Sequence, residues 1–419
     1  MTEARESRRS PSNRVRWAVP AVVAVAVAGA FLAPPLLASA DESVLPEVTP
    51  GQLVTTVAAA KPSPLSGTVV YTARLGLPEI PVELTGADPI ALLGGSSTMR
   101  VWTDGTERSR VSLLGAASEY SVVQDGAQAW TYSSSDDAVV HYSLNAADQA
   151  RFDALAADVR AGTVPEMAGK IAGNLPTPDE AARAALAQVE AFSTVEMGKQ
   201  TTVAGRDAYQ LVVTPKDSST LIAKVVVAID AKTSTPLRVQ TWSSTDASTP
   251  ALEIGFTDVA FTTPDPAVLA FSAPAGAAVK DVVVPLPPMS DAPTGAALDG
   301  TLPEGLAVSG TGWETVVQAS GLDVAALVAG DPKALTSMPG ADLTIGSQSA
   351  QDLIDEFVPS DSSGAPTIPS LDTSALYDQL TTAVPEGRLL TSSLLSVLVT
   401  TDGRVLVGAV PAETLRAMA

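Results

Sequence analysis

The chain contains no cysteine and a single histidine, His141. Without cysteine there are no disulfides, no thiolate nucleophile, no cysteine-bearing zinc site and no lipid-modified cysteine. One histidine also excludes a multi-histidine metal centre. A Ser-His-Asp triad would have to recruit His141, and no G-x-S-x-G elbow occurs. His141 stands in a strand pattern beside Tyr142 and reads as a cross-strand surface residue. Aromatic residues are scarce at 4%, yet the apolar share of 46%, much of it Ala and Val, permits a sizeable core.

Positive charge is also in short supply: 25 Lys and Arg stand against 46 Asp and Glu, a net of -21. Residues 1–40 hold five Arg and two Glu, so the remainder carries -24. That argues against nucleic acid or an anionic lipid surface as the partner of the main body. Carboxylates are plentiful, but no spacing argues for a calcium site or a catalytic pair. Asp136-Asp137 reads as a solvated turn, and Asp352, Asp355 and Glu356 as a helix surface. Gly94-Gly95-Ser96-Ser97 lacks the lysine and helix start of a phosphate loop. The sequence therefore reads as non-enzymatic, with no cofactor, no metal and no catalytic residues.

The N-terminus reads as a targeting segment. Arg5, Arg8, Arg9, Arg14 and Arg16 precede an uncharged run from Trp17 to Ala40, and Ala38-Ser39-Ala40 has the small-x-small shape of a cleavage site. The alternative is an uncleaved anchor, because 24 uncharged residues are enough to span a bilayer. Either way the body is exported. Export without disulfides suits a bacterial cell envelope.

Met99 to Tyr142 reads as an antiparallel meander. Asp104-Gly105 and Asp125-Gly126 each separate alternating apolar and polar runs, a hairpin signal. Before it, Thr49-Pro50-Gly51-Gln52 has the form of a capping box, predicting a helix over Leu53 to Ala60, and Ser66 to Leu75 predicts a strand. After it, Asn145 caps a predicted helix over Ala146 to Arg160 that Gly162 ends, and Thr177 opens another over Ala181 to Phe192. Strands are predicted over Val195–Val203, Ala208–Thr214, Leu221–Ile229, Pro236–Trp242 and Leu252–Phe261, with a turn at Asp230–Thr233. Residues 281–310 are rich in Pro, Gly and Ala and read as a linker, and Pro359–Ser370 reads as an exposed loop. Arg388 to Val410 reads as one hairpin about Thr401-Asp402-Gly403.

Several of these stretches resemble the LolA/LppX-like lipoprotein-carrier fold and, within it, MucB/RseB-type envelope proteins, whose N-terminal domain is of the sigma factor regulatory kind. They are MRVWTDGTERSRV, VVQDGAQAWTY (Val122–Tyr132), VAGRDAYQLVVTPKDSSTLIAKVVVAIDAKTSTPLRVQ, and EIGFTDVAFTTPDPAVLAFSAPAGAAV with Phe271 and Pro274. The resemblance spans roughly residues 45–280. It implies an α+β fold: a strongly curved antiparallel sheet, an incomplete barrel, covered by helices. A smaller C-terminal α+β region would follow. The expected organisation is a signal peptide or membrane anchor at 1–40, a half-barrel domain at 41–280, a linker at 281–310 and a small region at 311–419.

Alternation along the strands supplies inner-face, ligand-binding candidates: Met99, Val101, Val111, Leu113, Tyr120, Val122, Trp130, Tyr132, Leu211, Val213, Val225 and Val227. A packed core has the same signature as an apolar cavity, and Trp102 and Trp130 read equally as packing anchors. The resemblance implies either an extracytoplasmic binder of acyl lipid or lipoprotein, or a regulatory module that binds an envelope protein such as an anti-sigma factor. An uncleaved anchor and the C-terminal extension would both favour the tethered, partner-binding role.

Overall fold

The structure, a computed structural model, describes residues 45–77, 87, 89–161, 189–284, 305–321 and 373–419. The targeting segment, Gly162, residues 177–188 of the second predicted helix, most of the linker, the Pro359–Ser370 loop and the carboxylates at 352, 355 and 356 lie outside these residues. Strands take 47% of the structure and helices are few, so the fold is mostly sheet.

Helix α1 (Pro50–Ala59) begins where the capping box predicts it. The Gln52 N–H donates to the Thr49 hydroxyl at 3.2 Å, and the Thr49 N–H donates back to the Gln52 side chain at 2.9 Å. Pro50 at the first helical position loses nothing, since its missing N–H has no intrahelical partner there.

The large sheet comprises β1 (Leu65–Ala73), β2 (Gly95–Thr103), β3 (Arg108–Leu114), β4 (Glu119–Asp125), β5 (Gln128–Ser133), β6 (Ala138–Ser143), β7 (Ser193–Met197), β8 (Thr201–Val203), β9 (Arg206–Pro215), β10 (Ile222–Asp230), β11 (Pro236–Ser243), β12 (Leu252–Ala260) and β13 (Ala278–Val283). Helix α2 (Ala146–Ala161) follows β6, and the one-turn helix α3 (Pro266–Leu269) follows β12. The strand order is β13-β6-β5-β4-β3-β2-β1-β12-β11-β10-β9-β7, with β8 also on β9. Every pairing is antiparallel except that of β13 with β6. The first and last antiparallel strands of the set, β1 and β12, meet in the middle. Strand twist accumulated over so many neighbours curls the sheet, which remains unclosed, with β13 and β7 at its two ends among the described residues.

Several turns differ in detail from the sequence pattern. The β2–β3 connection is a loop over 104–107 rather than a two-residue turn. Its organiser is Asp104, whose Oδ1 accepts N–H groups from Thr106, Glu107 and Arg108. Burial opposes the Asp104 charge, but these bonds and the Arg108 guanidinium outweigh it and hold the carboxyl below the usual range. Gly105, at φ +76, lies so close to Ser63 that a Cβ there would stand 2.4 Å from the Ser63 Cα. The run predicted as one strand over Val195–Val203 is broken into β7 and β8 around Gly198, though both still pair with β9.

A second sheet of six strands has the order β14-β15-β19-β18-β17-β16. Its strands are β14 (Leu306–Ser309), β15 (Val316–Ala319), β16 (Thr382–Val384), β17 (Gly387–Thr391), β18 (Ser396–Thr400) and β19 (Val405–Gly408), with helix α4 (Thr373–Leu380) before β16 and α5 (Ala412–Arg416) at the C-terminus. The segment RLLTSSLLSVLVT, read as one hairpin arm, is two strands. It turns back at 392–395, where the Ser392 hydroxyl accepts the N–H groups of Leu394 and Leu395. Leu398, Leu406 and Leu415 are fully buried between this sheet and α5.

The small sheet is fastened to the large one by hydrogen bonds, most of them to backbone carbonyls. The Leu221 N–H and the Thr220 hydroxyl both donate to the Ala409 carbonyl, at 2.8 and 2.7 Å. Ser393 donates its N–H to the Leu75 carbonyl at 2.7 Å and its carbonyl accepts from the Ser243 hydroxyl at 2.6 Å. The Trp313 indole donates to the Ser193 hydroxyl at 2.8 Å. Trp313, Leu394 and Ala409 pack against the same apolar cluster that α1 covers.

Candidate functional site

Directly opposed residues in an antiparallel ladder point to the same face, so the register assigns each side chain to one side of the large sheet. One face carries Met99 and Val101 on β2, Val111 and Leu113 on β3, and Tyr120 and Val122 on β4. It continues through Thr131 and Val140 on β5 and β6. In the other direction it runs through Val69 and Tyr71, Phe256 and Ile254, and Val239 to Val225, Val227, Leu211 and Val213. Among the described residues, no charged side chain stands on this face in strands β1 to β6 or β10 to β12. The opposite face carries Arg100, Arg110, Glu119, His141, Lys224, Arg238 and Glu253.

Ten of the twelve candidates thus share the uncharged face. Trp130 and Tyr132 do not. The β4–β5 loop has two residues, Gly126-Ala127, with Gly126 at φ +56, so Asp125 pairs with Gln128. Val122 then opposes Thr131, and Trp130 opposes Val123 on the other side. A two-residue loop reverses odd and even between the strands it joins, and strict alternation by number misplaces the second strand.

The uncharged face has two halves. Over β9–β11 it is sealed: Val225 and Val227 are buried, and Leu211 and Val213 pack beside them under Leu53 and Val57 of α1. Tyr209 closes that end by donating its hydroxyl proton to the Pro46 carbonyl at 3.0 Å. These four candidates are core. Over β2–β4 the face is more open. Val122 is 41% exposed, Met99, Val111 and Tyr120 are half-buried, and Val101 and Leu113 form the floor at 1% and 6%. Tyr71 stands between the halves, and burial pushes its phenol up from the ordinary value. Tyr71, Ile254, Val140 and Tyr142 belong to this face but were not among the candidates; the register of β1, β12 and β6 places them there.

The opposite face of the meander is closed differently. Asp265 caps α3, which lies across β2–β4 with Leu269 fully buried. The Arg110 guanidinium donates to the Val268 carbonyl at 3.4 Å. Phe271 stacks on Trp130 at 5.6 Å, and Trp130 stacks on His141. His141 is therefore a cross-strand packing residue, and Trp130 an anchor.

Among the described residues no group of His, Asp or Glu is arranged to hold a metal ion, and no helix is long and apolar enough to cross a membrane.

No protein-family model matches the chain, and no curated protein matches it. Solved structures do. The Pseudomonas aeruginosa MucA/MucB complex is 16% identical, covering 87% of this chain and 94% of that one at a TM-score of 0.38. An uncharacterized conserved protein from Thermus thermophilus is 13% identical, covering 55% of this chain and 97% of that one at 0.30. A LolA superfamily protein from Nitrosomonas europaea is 12% identical, covering 54% and 99% at 0.20. The MucB and LolA superfamily structures are the kinds of fold the sequence resemblance names. At such TM-scores they carry no argument about what this chain binds.

Proposed function

We propose that the chain is a non-enzymatic, extracytoplasmic binding protein that receives an acyl chain of a lipid or lipoprotein on the open half of its uncharged face. The observation that supports this is the segregation of charge: β1 to β6 and β10 to β12 share a face without a charged residue, exposed at Val122, with the charges on the other side. An acyl chain needs burial and nothing else, at about 0.8 kcal/mol per methylene. The floor residues Val101 and Leu113 and the rim residues Met99, Val111, Tyr120 and Val122 are the proposed contacts. The sealed half under α1 gives the open half a rigid flank.

The test is native mass spectrometry of protein purified from its own envelope, followed by titration with a fluorescent diacyl lipopeptide. Co-purifying lipid and saturable binding are expected. A clean spectrum together with no lipopeptide binding would sink the reading.

A further inference from the structure

Strand β11 pairs with β12 only as far as Arg238 opposite Gly255, after which the two diverge and β8 lies against β12. A cavity of about 320 Å³ opens there, on the charged face of the sheet. Its lining includes Arg238, Glu253, Thr202 and Thr257, with Val70 as an apolar wall. The cavity is separate from the acyl-chain surface proposed above, which lies on the other side of β2–β4.

Arg238 makes no hydrogen bond, ion pair or ring contact among the described residues, whereas Arg74, Arg100, Arg108, Arg110, Arg206, Arg388, Arg404 and Arg416 each make at least one. It is half-buried, and its stem lies flat across Gly255, where a Cβ would stand 2.9 Å from the Arg238 Cγ. The absence of a side chain at 255 thus fixes the direction of the guanidinium. A half-shielded charge without a partner is an unfilled requirement, and a guanidinium is shaped to meet a carboxylate or phosphate through two parallel hydrogen bonds. Glu253, on the diagonal position of the next strand, does not pair with Arg238. Its carboxylate takes one hydrogen bond, from the Gln240 amide at 3.1 Å. A simple anion would meet repulsion from Glu253, whereas a ligand with charge of both signs satisfies both walls.

We propose that this cavity binds a small zwitterion, its phosphate or carboxylate on Arg238 and its ammonium on Glu253. Phosphoethanolamine has this chemistry, whether as a free compound or as a phospholipid headgroup.

The test is calorimetric titration of the full chain with O-phosphoethanolamine, inorganic phosphate and ethanolamine. Vesicle sedimentation with and without phosphatidylethanolamine distinguishes the two sources. The zwitterion should bind saturably and about tenfold more tightly than either half alone. Arg238→Gln and Glu253→Gln should each weaken it about tenfold while leaving the melting curve in place. Vesicle binding that needs phosphatidylethanolamine and is lost in Arg238→Gln makes the headgroup the source. Binding of the soluble compound alone makes it the free ligand. The proposal is overturned if neither probe binds, if Arg238→Gln binds as well as the parent chain, or if inorganic phosphate alone matches the zwitterion.

Discussion

Trp130 and His141 lie face to face across β5 and β6, their ring centroids 5.0 Å apart and their planes 7° from parallel. The His141 Nδ1 is 2.7 Å from the Asp281 carboxylate on β13, and its Nε2 is 3.2 Å from the Gln128 side chain. The one histidine of the chain therefore links three strands, including the parallel one. His141→Ala should loosen β13, raising amide exchange at the residues that donate to β6 while the β9–β11 amides keep their protection. The expected loss is about 1 kcal/mol, the typical value of an aromatic pair beyond its buried area. Unchanged exchange in β13 would mean the stack contributes nothing to holding it.

A second prediction concerns Asp230, whose side chain is 1% exposed and bound to Arg206. Burial raises its cost of ionisation. The Arg206 guanidinium and the Thr233 and Lys232 N–H groups more than offset this and hold its carboxyl below the ordinary range. Because the folded value is depressed, the stabilisation is complete above the unfolded value of about 4 and is lost as pH falls through the folded one. Melting temperature followed from pH 7 into acid should drop across that window, and Asp230→Asn should remove this part of the drop. Arg206→Ala, which strands the carboxylate, should cost about 3 kcal/mol at neutral pH, measured by urea unfolding.

Gly312 tests how the small sheet sits. It has φ +59, and a Cβ there would stand 2.6 Å from the Phe192 ring. Gly312→Ala combines backbone strain with a clash and should destabilise by about 1–3 kcal/mol. The effect should fall on the junction, seen as loss of protection at the Leu221 amide, while the core around Leu398 and Leu406 remains protected.

Acyl binding separates from stability at Val122 and Leu53. Val122→Glu places a charge on an exposed spot, so the melting curve should hardly move. Lipopeptide affinity should fall about tenfold or more, since a charge must then be desolvated. Leu53→Ala lies in the sealed half, at 5% exposure, and should cost about 2–5 kcal/mol. If Val122→Glu binds as tightly as the parent chain, the open half is not the receiving surface.

What could be read from the sequence was local. Thr49 and Gln52 announce α1 because both partners of the capping box lie within four residues. The Asp230 turn is equally self-contained, its carboxylate bonding Lys232 and Thr233. The side of the sheet on which Trp130 falls depends on loop length, which Asp125-Gly126 alone does not determine. The break at Ser392–Leu395 was hidden for a different reason. Ser393 is held by Leu75, Arg74 and Ser243, partners far away in the chain. The four candidates under α1 look identical in sequence to those on β2–β4, because alternation reports which face a residue shares and not whether something lies on it.

That the large sheet is unclosed has a mechanical consequence. A closed barrel has a bore set by its strand number and shear, and widening it means breaking ladder hydrogen bonds. An unclosed sheet has no such circumference. Its curvature can change by small rotations between neighbouring strands, with every β1–β12 and β3–β4 bond intact. The sheet can therefore change its span through strand twist alone, without giving up a ladder bond.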